Sequence, residues 1–170
     1  FSGETVSCAA SIDMPGATSC PILLAALGSQ MLKVAGTLAD GTITWMTGPR
    51  TLEQHIVPTL NRAAAAAGRP APRVVAGLPI VLVADVDDAR KKISEALAIY
   101  GMLPSYRAML DREGVTAPGD IAMVGDEAVL RTQLARLRDA GVTDLDATII
   151  ALDAGAVART RDFLATELRP

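Results

Sequence analysis

The chain has little of what most side-chain catalysis uses. Its 170 residues include one histidine, two cysteines, two phenylalanines, two tyrosines and one tryptophan. With one histidine and two cysteines, no Ser-His-Asp set or metal cluster can be assembled, and no pair of the 19 carboxylates stands out as a paired site. Cys8 and Cys20 are too few for a disulfide framework. They read as two reduced thiols of a cytoplasmic protein, with a bridge between them as the alternative. The net charge is -3 with both signs dispersed, so no basic stripe points to nucleic acid or an acidic membrane. The longest apolar runs, such as Val74–Val83, are too short to span a bilayer as a helix. The opening FSGETVSCAAS lacks the basic region and long apolar core of a signal peptide. Phe1 is not an initiator methionine, so the chain is expected to be processed or part of something longer.

What remains is aliphatic. Half of the residues are hydrophobic, and alanine, leucine, valine and isoleucine must build the core. The length suits one domain, 1–170, large enough to fold around a core without staples. Residues 1–20 are punctuated by Gly3, Pro15 and Gly16 and read as an irregular insertion. Within them, VSCAASI is a candidate for a short strand or half of a hairpin.

From Pro21 onward, strand and helix patterns alternate. Ile22–Leu27 is a continuous apolar run, expected to be a strand buried on both faces. Ser29 is placed to cap a helix with Met31, Leu32, Ala35, Leu38 and Ala39 at helical spacing. Gly36 weakens that helix unless something packs close against it. Thr42–Trp45 begins the next strand. Thr51 and Gln54 form a possible capping box for a helix running to about Ala67, in which Pro58 is expected to bend the helix or delay its regular start. Val74–Val83 is a third strand. Asp87 or Asp88 caps the following helix, and Pro104 breaks it. Asp126 caps the helix before a last strand, Leu145–Leu152, and a final helix runs from about Ala156 to Leu168. Strands alternating with helices imply an α/β fold with a parallel sheet. Four such units are half of an eight-stranded barrel, which usually needs about 250 residues.

Both glycine turns between Pro21 and Arg50 fall just past the carboxyl ends of strands, where parallel α/β proteins bind ligands. The first is Ala25-Ala26-Leu27-Gly28. The second is Thr47-Gly48-Pro49-Arg50, ahead of a helix. Free amides at a helix start attract anions, and an arginine there makes sense with a phosphate between it and the helix end. The alternative is a solvated arginine after a Gly-Pro turn.

The order Ala25-Ala26-Leu27-Gly28, Met31-Leu32-Lys33-Val34-Ala35-Gly36, Ala39-Asp40-Gly41 resembles the luciferase-like monooxygenase family. Within that family it is most similar to actinobacterial oxidoreductases that use coenzyme F420. Their fifth strand and helix read AA-x-G, then MLxLAG, then ADG, with leucine where this chain has Val34. MVGDEAVLRTQLARLRDAGVTDL resembles the family's lead into its eighth strand. The resemblance covers nearly the whole chain and is most specific over 21–50. It implies the C-terminal half of a (β/α)8 TIM-type barrel, parallel strands five to eight, without the N-terminal half that carries much of the cofactor-ring and substrate pocket.

The resemblance further implies hydride transfer between F420 and an organic substrate, or FMN in the same pocket with reduced flavin activating oxygen. A non-catalytic half-barrel that oligomerises is the reading from a different class. Ala25, Ala26, Leu27 and Gly28 would lie beside the flat ring, and Thr47, Gly48, Pro49 and Arg50 beside the phosphate-bearing tail. Catalytic residues are not assigned. Trp45 lines the pocket or fills the core, and His55 sits on a helix surface or is partly packed. Open parallel edges call for a homodimer or pairing with the missing half.

Overall fold

The computed structural model describes residues 2–11, 15–16, 18 and 20–168. Ahead of Pro21, the described residues form one isolated antiparallel bridge, Ser2 to Ser7. Ile12, at the end of VSCAASI, lies outside the described residues.

The elements alternate as the patterning predicts. They are β1 (Leu23–Ala25), α1 (Ser29–Leu38), β2 (Gly41–Trp45), α2 (Pro49–Thr51), a π-helical turn (Leu52–Ile56), α3 (Val57–Ala66) and β3 (Arg73–Leu82). Then follow α4 (Val86–Ala96), α5 (Ala98–Met102), α6 (Pro104–Glu113), a 3-10 turn (Pro118–Asp120), β4 (Met123–Gly125), α7 (Glu127–Asp139), β5 (Asp144–Ile149) and α8 (Ala156–Glu167). All strand pairings in the sheet are parallel.

The ten-residue β3 organises the sheet. Backbone groups of successive strand residues point to opposite edges. Arg73 donates to Asp40, Gly77 accepts from Met46 and Val83 donates to Gly125, so the odd-numbered edge faces first β2 and then β4. Val74 accepts from Thr143 and Ile80 from Ile150, so the even-numbered edge faces β5. Past β5 that edge is closed by a side chain: the buried Thr160 of α8 accepts from the Leu82 amide at 2.9 Å and donates to Ala156 at 2.7 Å.

Helices α1, α3 and α7 cover one face of this sheet, while Ala89 and Ile93 of α4 and Ala156 of α8 pack on Val81 at the far end of the other. On the first face, Val74, Ala76, Leu78 and Ile80 pack with Leu32 and Ala35 of α1, Leu60 of α3, and Leu130 and Leu137 of α7. Gly36 brings α1 and α3 together. A Cβ there would lie 2.6 Å from the Leu60 carbonyl oxygen and 2.7 Å from Ala63 Cβ, closer than nonbonded atoms approach.

Several expectations change in physically instructive ways. β1 is three residues long and half exposed rather than buried on both faces, because it is an end strand paired only with β2 among the described residues. Gly28, not Ser29, is the N-cap of α1. Thr51 does not form a capping box, because the helix already starts at Pro49, where a missing N–H costs nothing. Pro58 does delay the regular α-helix. The backbone widens into a π turn in which the Val57 N–H reaches back to Leu52, and α3 starts with Pro58 in its first turn. Asp85, ahead of Asp87 and Asp88, caps α4 by accepting from the Asp88 amide. Asp126 caps α7 as predicted. The short apolar segment that opens MVGDEAVLRTQLARLRDAGVTDL is the three-residue β4.

Candidate functional site

The two turns lie at the carboxyl ends of β1 and β2 but are built differently. Ala25, Ala26, Leu27 and Gly28 border a cavity of about 540 Å³, together with Met31, Ile43, Trp45, Tyr106 and Asp146. That volume is in the range of small-molecule sites. Small residues make the turn approachable. Ala25 and Gly28 are exposed, and nothing lies within 4 Å of where a Cβ on Gly28 would project.

The turn is held from behind by the lone histidine. His55 is buried, and its Nε2 lies 2.9 Å from the Leu27 carbonyl oxygen. A carbonyl only accepts, so Nε2 carries the proton and donates. The π turn places His55 there. Of the two expectations for His55, the packed one holds, and it acts on the site by fixing a backbone carbonyl.

The cavity's other side is aromatic. Trp45 meets Tyr100 edge-on with ring centroids 6.0 Å apart, and Tyr100 meets Tyr106 at 4.9 Å. These contacts bring α5 and α6 over the end of β2. Trp45 thus lines the cavity, with its indole N–H buried and unpaired among the described residues.

The second turn carries its own anion. The Glu113 carboxylate, from the end of α6, accepts from the Arg50 amide at 3.1 Å, the Thr51 amide at 2.7 Å and the Thr51 hydroxyl at 2.7 Å. Gly48 makes room for it: a Cβ on Gly48 would run into the Glu113 carboxyl carbon. A helix start favours negative charge, and here a side chain of the same chain supplies it. Pro49 is the first helical residue, Thr47 is buried, and the Arg50 side chain runs beside Gly114. None of Thr47, Gly48, Pro49 or Arg50 borders the cavity formed by the first turn.

On the sheet face opposite α1, α3 and α7, one end is polar. Arg73 and Asp144 form a two-bond ion pair, Nε to Oδ2 at 3.0 Å and Nη2 to Oδ1 at 2.6 Å. The Arg73 guanidinium, with help from the Thr143 hydroxyl, lowers the Asp144 carboxyl pKa below its ordinary value. Glu113, His55, Tyr106 and Asp146 were not singled out as site residues by sequence reasoning. Glu113 lies 62 residues from Thr51, and no local pattern links them. Asp146 did leave a trace: Asp144, Asp146 and Thr148 alternate with Leu145, Ala147 and Ile149, the period of a strand with one polar face. Among the described residues, no group of three or more metal-ligating side chains could hold an ion, and no helix is long and apolar enough to cross a membrane.

Solved structures with the same arrangement include a coenzyme F420-dependent tetrahydromethanopterin reductase from Methanopyrus kandleri, 22% identical with a TM-score of 0.63 over 78% of this chain and 45% of that one. Another is an F420-dependent secondary alcohol dehydrogenase in complex with an F420-acetone adduct, 17% identical with a TM-score of 0.65 over 81% of this chain and 46% of that one. A third is the oxygenating constituent of 3,6-diketocamphane monooxygenase from Pseudomonas putida in complex with FMN, 13% identical with a TM-score of 0.53 over 84% and 44%. At these identities the likeness is one of fold, and this chain spans about half the length of each of these structures. A search of curated proteins finds no match. The family model for luciferase-like monooxygenases matches residues 1–149. With its parallel β/α order and that match over most of its length, the chain belongs to the luciferase-like monooxygenase family.

Proposed function

We propose that this chain is the C-terminal half, strands five to eight, of a (β/α)8 oxidoreductase that uses coenzyme F420 with an organic substrate. The carrying observation is the Ala25–Gly28 turn. It gives a strand-end cavity a wall of small residues against which a flat ring can lie, facing Trp45 and Tyr106. The four longer-range units supply β1, β2, β3 and β5 in sequential parallel order, as consecutive barrel strands require. The bound deazaflavin would supply the hydride chemistry. The chain's own residues position and exclude: His55 holds the Leu27 carbonyl, and α5–α6 cover the cavity with Tyr100 and Tyr106.

The residues present suit the ring and the acidic tail unequally. The cavity accepts a ring as it stands. Thr47, Gly48, Pro49 and Arg50 receive a phosphate-bearing tail only when Glu113 leaves the Arg50 and Thr51 amides. FMN with oxygen activation is the second reading, favoured by the same cavity, and both cofactors share the need for a planar site and an anionic grip.

Titration with F420 and with FMN, followed by cofactor fluorescence, tests the proposal. Saturable binding of either one is expected, with F420 tighter. Binding of neither overturns the cofactor reading and favours a non-catalytic half-barrel. F420 affinity unchanged in Arg50→Ala removes Arg50 from the tail site. Among the described residues β1 and β5 each pair on one edge only. Open parallel edges recruit a partner, so the chain is proposed to pair with itself or with an N-terminal half. Monomers by light scattering would sink that pairing.

A further inference from the structure

Three residues lie side by side across the face of the sheet opposite α1, α3 and α7. Trp45 is in register with Gly77, and Gly77 with Asp146. In-register residues of neighbouring parallel strands project to the same face. The central residue has no side chain, and that absence shapes the row. A Cβ on Gly77 would lie 3.0 Å from Trp45 Cε3 and 3.7 Å from Asp146 Oδ2. The indole and the carboxylate therefore approach each other over β3, and both border the cavity that the Ala25–Gly28 turn walls.

Among the described residues, Asp146 is the one charged side chain that borders that cavity. The cation nearest in the sheet's pattern, Arg73, is already engaged by both oxygens of Asp144. Barrel interiors are ordinarily filled by branched apolar side chains. Here β5 instead turns Asp144, Asp146 and Thr148 to that side. A carboxylate next to an indole face is a recognised arrangement for a positive charge, since both the anion and the ring quadrupole attract a cation.

We infer that the Trp45–Gly77–Asp146 row is a recognition element for a planar organic substrate carrying a cationic nitrogen. The ring lies against Trp45, and the nitrogen meets Asp146. F420 and FMN are anionic through their phosphates, so the row serves the substrate rather than the cofactor tail. The inference rests on the proposed reading of this cavity as the ligand site.

Trp45 is the only tryptophan in the chain, so one indole N–H resonance reports on the cavity. The chain, labelled with nitrogen-15, is titrated with benzamidine, a planar cation, and with benzamide, its neutral counterpart. Benzamidine is expected to shift the Trp45 resonance with a Kd about threefold or more below that of benzamide, the size expected for a partly exposed charge pair. Asp146→Asn should remove the difference while leaving benzamide binding as it was. Asp146→Glu should keep its sign. Equal affinities in the unaltered chain, a preference that survives in Asp146→Asn, or no shift with either probe overturns the inference. F420 and FMN titrated in parallel separate the two claims. Cofactor shifts at the Ala25–Gly28 amides without a cation preference overturn only the role of Asp146. A cation preference without cofactor shifts upholds the row and overturns the cofactor reading.

Discussion

Replacing Glu113 with alanine tests the most unexpected contact near the site. The carboxylate accepts three hydrogen bonds at the start of the helical segment that runs from Pro49. They are unequal. The Arg50 amide belongs to an exposed residue and turns to water when the carboxylate goes. Thr51 is 1% exposed, so its amide loses a partner without gaining a solvent one. Leaving one buried donor unpaired costs about 1–3 kcal/mol. Removing a negative charge from a helix start costs about 0.3–1 kcal/mol more. The Thr51 hydroxyl retains Met109 O at 3.4 Å as a weak fallback. The expected loss is thus about 2 kcal/mol, or about 4–8 °C in Tm for a chain of this size.

Thermal unfolding at pH 7, followed by circular dichroism, measures that loss. Glu113→Gln should fall between the two, since its amide nitrogen would face one of the donors that the carboxylate satisfied. Phosphate adds a linkage test. If truncation leaves an anion site, phosphate at ten times its Kd should restore about 1.4 kcal/mol to Glu113→Ala and nothing to the unaltered chain. An alanine variant as stable as the parent, or a glutamine variant equal to it, would refute the reasoning. Either result would mean that the helix start does not depend on this charge.

Three further outcomes follow from single contacts. His55→Leu removes the donor to the Leu27 carbonyl and should cost about 1–3 kcal/mol by urea unfolding, with the Leu27 and Gly28 amides showing the largest NMR shifts; unmoved turn resonances would exclude the positioning role. Thr160→Val keeps shape but strands the Leu82 amide, so a loss of about 1–3 kcal/mol is expected by the same measurement. Asp153 has its carboxyl pKa lowered to about 2 by the Arg159 guanidinium and then the Gly155 amide. Its folded value lies below the unfolded value of about 3.9, so its stabilisation is complete above that value and is lost as pH falls through about 2. Carboxyl NMR titration should show the midpoint rising in Arg159→Ala, and an unchanged midpoint would contradict the assignment.

The fold was legible where the physics is local. The apolar run of β3, the glycine turns and the Asp126 cap each announce themselves within a few residues. The exposure of β1 is not legible, because an apolar run does not reveal whether its strand has one neighbour or two. The start of α2 is ambiguous in sequence, because the capping-box pattern at Thr51 and Gln54 competes with Pro49, whose preference for a first helical turn prevails. At the site, the Ala25–Gly28 turn could be nominated from composition and position. His55 and Glu113 could not, since each acts on a backbone group far away in sequence, Leu27 and Thr51 respectively.

The two turns show why a helix start is weaker grounds for a ligand site than it looks. Unpaired amides and a dipole specify a negative charge but not its source. At Thr51 the fold itself answers the demand through Glu113, and Gly48 gives that carboxylate the space to sit there. A ligand phosphate must therefore displace a resident carboxylate, and its apparent affinity is reduced by the free energy of that contact. The first turn sets no such competition. Its side-chain bond, from His55 to Leu27, lies behind the wall and leaves Ala25 and Gly28 exposed. The same logic separates Asp144 from Asp146. Both face one side of β5, but Asp144 is engaged by Arg73 whereas Asp146 borders the cavity. Residues whose interactions the fold has already used stabilise the frame, and the residues left facing the cavity set what it binds.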